Sequence, residues 1–176
     1  MKLKALRKVL DGYGKLVQRS AKANLTKAKK RNTDSLYNSI KYQVRKYKGD
    51  LNLTFKMLGY GTFVDKGVKG TKSSRKAPQS PYRFGSGKGG SGLRAGINKW
   101  VTQKKDLKGV VRDKQGRFIP RKSLQFLIVR SIWNTGLETT NFFSNPFNNL
   151  QKRNKMEVID AFLKDFTDDL EREVNL

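Results

Sequence analysis

Apolar positions near the N-terminus recur every three or four residues. Leu3, Leu6, Leu10, Tyr13 and Val17 share one face of a helix expected over residues 2 to about 30. Lys4, Lys8, Lys15, Arg19 and Lys22 fill the rest of its surface, so one stripe should dock on a sheet while a basic face meets water. Gly12 and Gly14 each weaken the helix by about 1 kcal/mol relative to alanine, which allows a bend there. The segment RNTDSLYNS is a turn-rich junction in which Asn32, Thr33, Asp34 and Ser35 are all competent caps. The period then changes to two. Ile40, Tyr42 and Val44 alternate with polar residues, as do Leu51, Leu53, Phe55 and Met57, and the short glycine-containing KGD joins the runs. Residues 40–57 therefore read as a β-hairpin.

Helical spacing returns at Leu93, Ile97, Trp100 and Val101. Next comes the glycine-punctuated loop DLKGVVRDKQGRFIP, whose DKQG suits the turn of a small hairpin. Pro120 precedes RKSLQFLIVRSIWNTG, where Leu124, Leu127, Ile128, Ser131 and Ile132 predict a buried helix that stops at Gly136. LETTNFFSNPF is short, aromatic and extended, a last strand or a docking loop. Met156, Ile159, Phe162, Leu163, Phe166 and Leu170 mark an amphipathic C-terminal helix. The expectation is one α+β domain over residues 1–176. A small antiparallel sheet, made of the hairpin 40–57 plus one or two further strands, packs against N-terminal, central and C-terminal helices. A long basic loop is inserted at about 66–92, and a second loop at about 104–120.

Composition narrows the chemistry. The chain has no cysteine and no histidine, which removes disulfides, thiolate chemistry, imidazole bases, histidine-based triads and nearly all zinc sites. No apolar run approaches the roughly 20 residues of a membrane span. The net charge is +25. Residues 1–76 contribute +17, residues 77–153 contribute +12, and residues 154–176 contribute −4, so a basic body carries an acidic last helix. Charge of this size implies proximity to a polyanion or to an acidic partner.

The stretch YGTFVDKGVKGTKSSRKAPQSPYRFGSGKGGSG, residues 60–92, twice approaches a phosphate-binding loop and twice departs from it. A glycine directly before the lysine and a Ser/Thr directly after it are needed to wrap a phosphate and hold its metal. GVKGTKS places Thr71 between Gly70 and Lys72, and in FGSGKGG Gly89 stands where the Ser/Thr belongs. Carboxylates in the basic body are few: Asp11, Asp34, Asp50, Asp65, Asp106, Asp113 and Glu138, with no spaced pair for two-metal chemistry. The acids Asp160, Asp165, Asp168, Asp169, Glu171 and Glu173 read as a solvated or partner-facing helix surface. Arg75, Lys76, Arg83, Lys88 and Arg94, with Tyr82 and Phe84 interleaved, suit contact with a phosphate backbone, without a sequence-reading motif beside them.

Three landmarks in order resemble the head–tail joining, or tail-completion, proteins of long-tailed bacteriophages. NTDSLYNSI at 32–40 is similar to their T-G-x-L-x-x-S-I junction, with Asp34 in place of the glycine. YGTFVDKGVKGT at 60–71 is similar to their Y-A-x-x-V-E-x-G-T element, and FFSNPFNNL at 142–150 to the F-L-x-P-A segment before their last helix. The resemblance implies a structural virion protein without catalysis or cofactor. It would form a homo-oligomeric ring, hexameric or dodecameric, in the neck between the portal or connector and the tail, assembled in the host cytoplasm. Double-stranded DNA would pass through it, and no membrane is involved. Expected partner and oligomer contacts are Tyr60, Phe63, Val64, Asp65, Gly67, Lys69, Lys72, Arg75, Lys76, Tyr82, Arg83 and Phe84, followed by Phe142, Phe143, Pro146 and Phe147. Lys88, Arg94, Arg112, Arg117 and Arg121 are expected near DNA. The 66–92 loop has few apolar anchors, so its order is expected to come from a neighbour. The competing readings are a free, non-specific nucleic-acid-binding protein and a metal-dependent nuclease using Asp65 or Asp113.

Overall fold

The computed structural model describes residues 3–30, 33–85, 90–103 and 112–174. The chain is α+β, with two separate two-stranded antiparallel sheets. It divides into two compact units: residues 1–61 with 141–176, and residues 62–140. The expected loop insertion at about 66–92 falls within the second unit, with residues 86–89 outside the described residues.

The first unit is organised by helix α1 (Lys4–Lys27), which packs against β1 (Lys41–Tyr47), β2 (Asp50–Lys56), α6 (Ser144–Arg153) and α7 (Lys155–Val174). The short α2 (Ser35–Ser39) joins α1 to the hairpin. The predicted stripe holds in its first half and continues past it: Leu6, Tyr13, Val17, Ala21 and Leu25 are buried. α1 is unbroken through Gly12 and Gly14. A Cβ on Gly14 would collide with the Tyr42 ring of β1, so this glycine marks a close helix–strand approach instead of a bend. The hairpin forms as expected, with Tyr42 opposite Phe55 and Val44 opposite Leu53, but its connection is shorter than KGD because Asp50 already pairs with Tyr47. Its two-residue turn has Lys48 and Gly49 both at positive φ, as a primed turn requires.

The segment expected as a strand or docking loop folds differently. Phe142 is fully buried, Pro146 is buried within the first turn of α6, and Phe143 and Phe147 close on Phe55 at 5.3 and 5.9 Å between ring centres. Tyr13 stands edge-on to Phe55 and donates its hydroxyl to the Phe147 carbonyl. Burial pushes the Tyr13 phenol above its ordinary value. Pro146 and Phe147 of the N-P-F landmark therefore pack in the first unit, where Phe147 joins the aromatic pairs that Tyr13 and Phe55 make between helix and hairpin.

α1 begins without a side-chain cap of its own. Its first amides are capped from the other end of the chain. Asp165 Oδ1 accepts from Ala5 N at 2.9 Å, and Oδ2 accepts from Leu6 N at 2.8 Å. The carboxylate also sits where the helix dipole favours negative charge. Asp165, expected on a solvated or partner-facing surface, is instead buried.

The second unit holds β3 (Val68–Lys69), α4 (Gly90–Gln103), α5 (Arg121–Thr135) and β4 (Gly136–Leu137), with β3 antiparallel to β4. The helix α3 (Gly61–Lys66) leads into it and ends at Gly67, whose φ of +70° is left-handed. A Cβ there would lie 2.7 Å from the Leu137 carbonyl oxygen. The last carbonyls of α3 are closed by two adjacent threonines. Thr140 Oγ1 donates to Val64 O, Thr140 N to Asp65 O, and Thr139 Oγ1 to Lys66 O. α5 starts after Pro120 and stops at Gly136 as predicted, but it is no buried helix: none of its residues is fully buried, and Phe126 and Leu127 are about half exposed. DKQG does turn a small hairpin, with Arg112 bridged to Phe118.

Two expected outcomes follow from this packing. Asp165→Ala should lower the urea-derived unfolding free energy by about 2 kcal/mol, a lost cap plus two orphaned amides. A loss below about 0.5 kcal/mol would mean that α1 does not depend on this carboxylate. Gly12→Ala, at a position with open space, should stabilise by up to about 1 kcal/mol, while Gly14→Ala should destabilise. Equal effects in thermal melts would remove the close-approach account.

Candidate functional site

The glycine–lysine stretch is ordered by its own unit up to residue 85. Lys69 N donates to Tyr82 O, Gly70 N to Ser73 O, Thr71 N to Trp133 O and Lys72 N to Asn134 O, at 2.8–3.1 Å. Four consecutive amides are thus committed to protein carbonyls, and a phosphate would find none of them pointing outward. Ser80 is buried. It donates to the Gly67 carbonyl at 2.7 Å and accepts from Tyr82 N at 3.1 Å, closing the loop on its own start. Phe84 stacks on Trp133 at 5.3 Å, and Phe63 meets Tyr82 edge-on at 4.7 Å. The expectation of an arm ordered only by a neighbour gives way here. The apolar anchors are Ala77, Phe84 and Trp133, and backbone pairing with the end of α5 supplies the rest.

The residues singled out from sequence therefore separate by role. Asp65 is buried and Val64 and Gly67 serve the α3 ending. Lys69 is paired in β3, and Lys76 Nζ bonds the Thr135 hydroxyl at 2.9 Å. Lys72, Arg75 and Arg83 are exposed, with Arg83 Nη2 donating to Thr71 O. Tyr60 and Phe63 keep much of their rings in solvent. Phe142 and Pro146 are buried in the first unit, and Phe143 and Phe147 are half-buried in its aromatic cluster, so these four are fold residues. Lys88 lies outside the described residues.

Of the cations expected near DNA, Arg112 and Arg117 are committed to the small hairpin. Arg112 lies over the Phe118 ring at 4.2 Å and donates to Gly116 O. Arg117 pairs through Nε with Asp113 at 2.9 Å. Arg94 and Arg121 flank the packed pair α4 and α5. Arg121 Nη2 bonds the side chains of Asn98 and Thr102, and Gln125 Nε2 donates to the Arg94 carbonyl. A groove of about 380 Å³ opens there, lined by Arg94, Lys122, Gln125, Phe126 and Val129. Its lining joins two cations to two apolar side chains. The sequence of residues 62–140 holds 18 Lys+Arg against 4 Asp+Glu, a net +14, so this unit is the more basic one per residue.

Asp65 and Asp113, the acids named for nuclease chemistry, are engaged in local contacts. Asp113 accepts from the Arg117 amide, the Arg117 guanidinium and the Gln115 amide, and Asp65 is buried beside the Lys66 ammonium. Among the described residues no group of three acidic side chains is arranged to hold a metal ion. Also among them, no helix is long and apolar enough to cross a membrane.

α7 presents the second notable surface. Its buried residues are Ala161 and Asp165, facing α1. The predicted apolar stripe is on the far side, and Met156, Ile159, Phe162, Leu163, Phe166 and Leu170 are each 39–63% exposed. Sequence periodicity located the stripe of this amphipathic helix without showing which way it faces. The buried carboxylate that turns the helix the other way has no periodic signature. No protein-family model, curated protein or solved structure matches the chain.

The hairpin tip gives a titration test. The Arg117 amide, most of all, holds the Asp113 carboxyl below the ordinary carboxylate value, with the Arg117 side chain and Gln115 amide adding to it against partial desolvation. A carboxyl depressed on folding stabilises at pH values above its unfolded value and loses that contribution as pH falls through the folded one. The Gln115 and Arg117 amide resonances should therefore shift with a midpoint below that of an ordinary carboxylate. In Asp113→Asn that acid transition should vanish; its persistence would assign the effect to another group.

Proposed function

We propose that this chain is a structural protein of a tailed-phage virion, a ring-forming neck adaptor that joins the DNA-filled head to the tail. The observation that carries the reading is the order of landmarks along the fold: long helix, junction, hairpin, Y-x-x-x-V-[DE]-x-G, central helices, N-P-F and last helix. Two details support it physically. The junction residue at which the resembling family has glycine is Asp34, and its backbone is left-handed with φ +53°. That conformation is one glycine enters freely and aspartate enters at modest cost. The glycine closing Y-x-x-x-V-[DE]-x-G is Gly67, also left-handed. The positions that the resemblance marks for glycine are thus positions where backbone geometry asks for it.

Charge is consistent with the same role. A protein beside a DNA passage gains from cations that attract phosphates without reading bases, because such contact permits sliding. Arg94, Arg121 and Lys122 on the second unit are exposed and suited to that. A free nucleic-acid-binding protein would use the same cations.

The two readings part in an infection experiment. With a mutant phage lacking this chain, filled heads and free tails should accumulate unjoined, and antibody against the chain should label the head–tail junction of complete particles. Absence of the chain from purified tailed particles would overturn the proposal. Salt-sensitive DNA binding by a monomer that no particle contains would favour the free binder.

A further inference from the structure

The exposed stripe on α7 and the basic groove beside α5 have complementary shapes of chemistry. At 1.5 Å per residue the stripe from Met156 to Leu170 runs about 21 Å along the helix. An apolar ridge of this length, left open on a folded unit, is a feature of interaction surfaces. Asp160 and Glu171 border it on one side, since both project next to the line through Met156 and Leu163 at 100° per residue. The helix as a whole carries three cations against seven acids. Two such helices side by side would oppose like charges. The groove on residues 62–140 offers the opposite arrangement, with the apolar Phe126 and Val129 and the cations Arg94 and Lys122 in one lining.

We infer that α7 of one copy docks in the α5 groove of a second copy of this chain, Leu163 and Phe166 entering the groove while Asp160 and Glu171 meet Lys122 and Arg94. The two patches differ, so the contact is heterologous and each bound pair leaves one ridge and one groove unused. Repetition then adds copies head to tail and closes into a ring when the rotation allows. The inference rests on the ring-forming part of the proposed function, but it concerns the contact and makes no use of virion location.

The test uses two full-length variants and light scattering at matched concentration. The ridge variant is Leu163→Asp with Phe166→Asp, and the groove variant is Lys122→Glu with Phe126→Asp. All four residues lie on the surface, and far-UV circular dichroism checks that each variant melts like the parent. The parent should self-associate, with affinity falling at least tenfold as sodium chloride rises from about 0.1 to 0.5 M, as expected for partly charge-driven contacts. Each variant alone should be monomeric. Mixed one to one, they should form a dimer and stop there, because the intact ridge of one meets the intact groove of the other. A monomeric parent, variants that associate like the parent, or a mixture that stays monomeric would each overturn the inference. Dimers of the groove variant alone would do so too, since they would assign the ridge to a symmetric α7 pair. Failure of this contact would leave particle labelling unchanged, whereas failure of the virion reading would leave the dimer in the mixture, so the two outcomes are separable.

Discussion

The first unit depends on one carboxylate. Asp165 accepts from two amides at the start of α1, and those amides have no other side-chain cap. The bond fixes more than a helix end. With Asp165 and Ala161 turned toward α1, the rotation of α7 is set, and its hydrophobic residues must lie roughly 140° round the helix. A buried, hydrogen-bonded charge thus takes the place that leucine and phenylalanine would ordinarily fill. Apolar burial in this unit is supplied instead by α1, the hairpin and the Phe142–Phe147 cluster.

The second unit is held by backbone commitments more than by a large apolar core. The amides of residues 69–72 are consumed, two threonines close α3, and Gly67 lets two chain segments approach to within contact. α5 packs with α4 and with β4 yet buries none of its residues completely. Its cations and its exposed phenylalanine are therefore available at the surface, beside a groove with both characters.

What was legible in the sequence was local. The 3.6 and 2.0 periods gave α1 and the hairpin with their faces, Pro120 and Gly136 bounded α5, and DKQG gave its turn. Less legible was every feature that depends on residues distant in the chain. The Asp165 cap spans 160 positions, and no spacing rule links an acid in the last helix to an amide in the first. Gly14 looked like a helix weakness because the Tyr42 ring lying against it comes from another element. Residues 67–85 looked unanchored because their partners, Trp133 and Asn134, follow some 50 residues later. The candidate surfaces divided the same way: the charges of the groove could be counted, but whether the α7 stripe faced in or out required the fold.

The discontinuity of the first unit has a consequence for biosynthesis. Residues 62–140 are contiguous in sequence, whereas the other unit needs both residues 1–61 and residues 141–176 before it can close. Until the last helix is made, α1 emerges uncapped and its stripe lacks the phenylalanines that cover it. Domains that are inserted into others can fold first as units during synthesis, and contacts spanning the whole chain form late because loop closure must precede them. The helix that carries the open apolar ridge comes after the whole of residues 62–140 in the sequence. The surface most prone to premature association is therefore translated after the elements that hold it in place, α1 and α6.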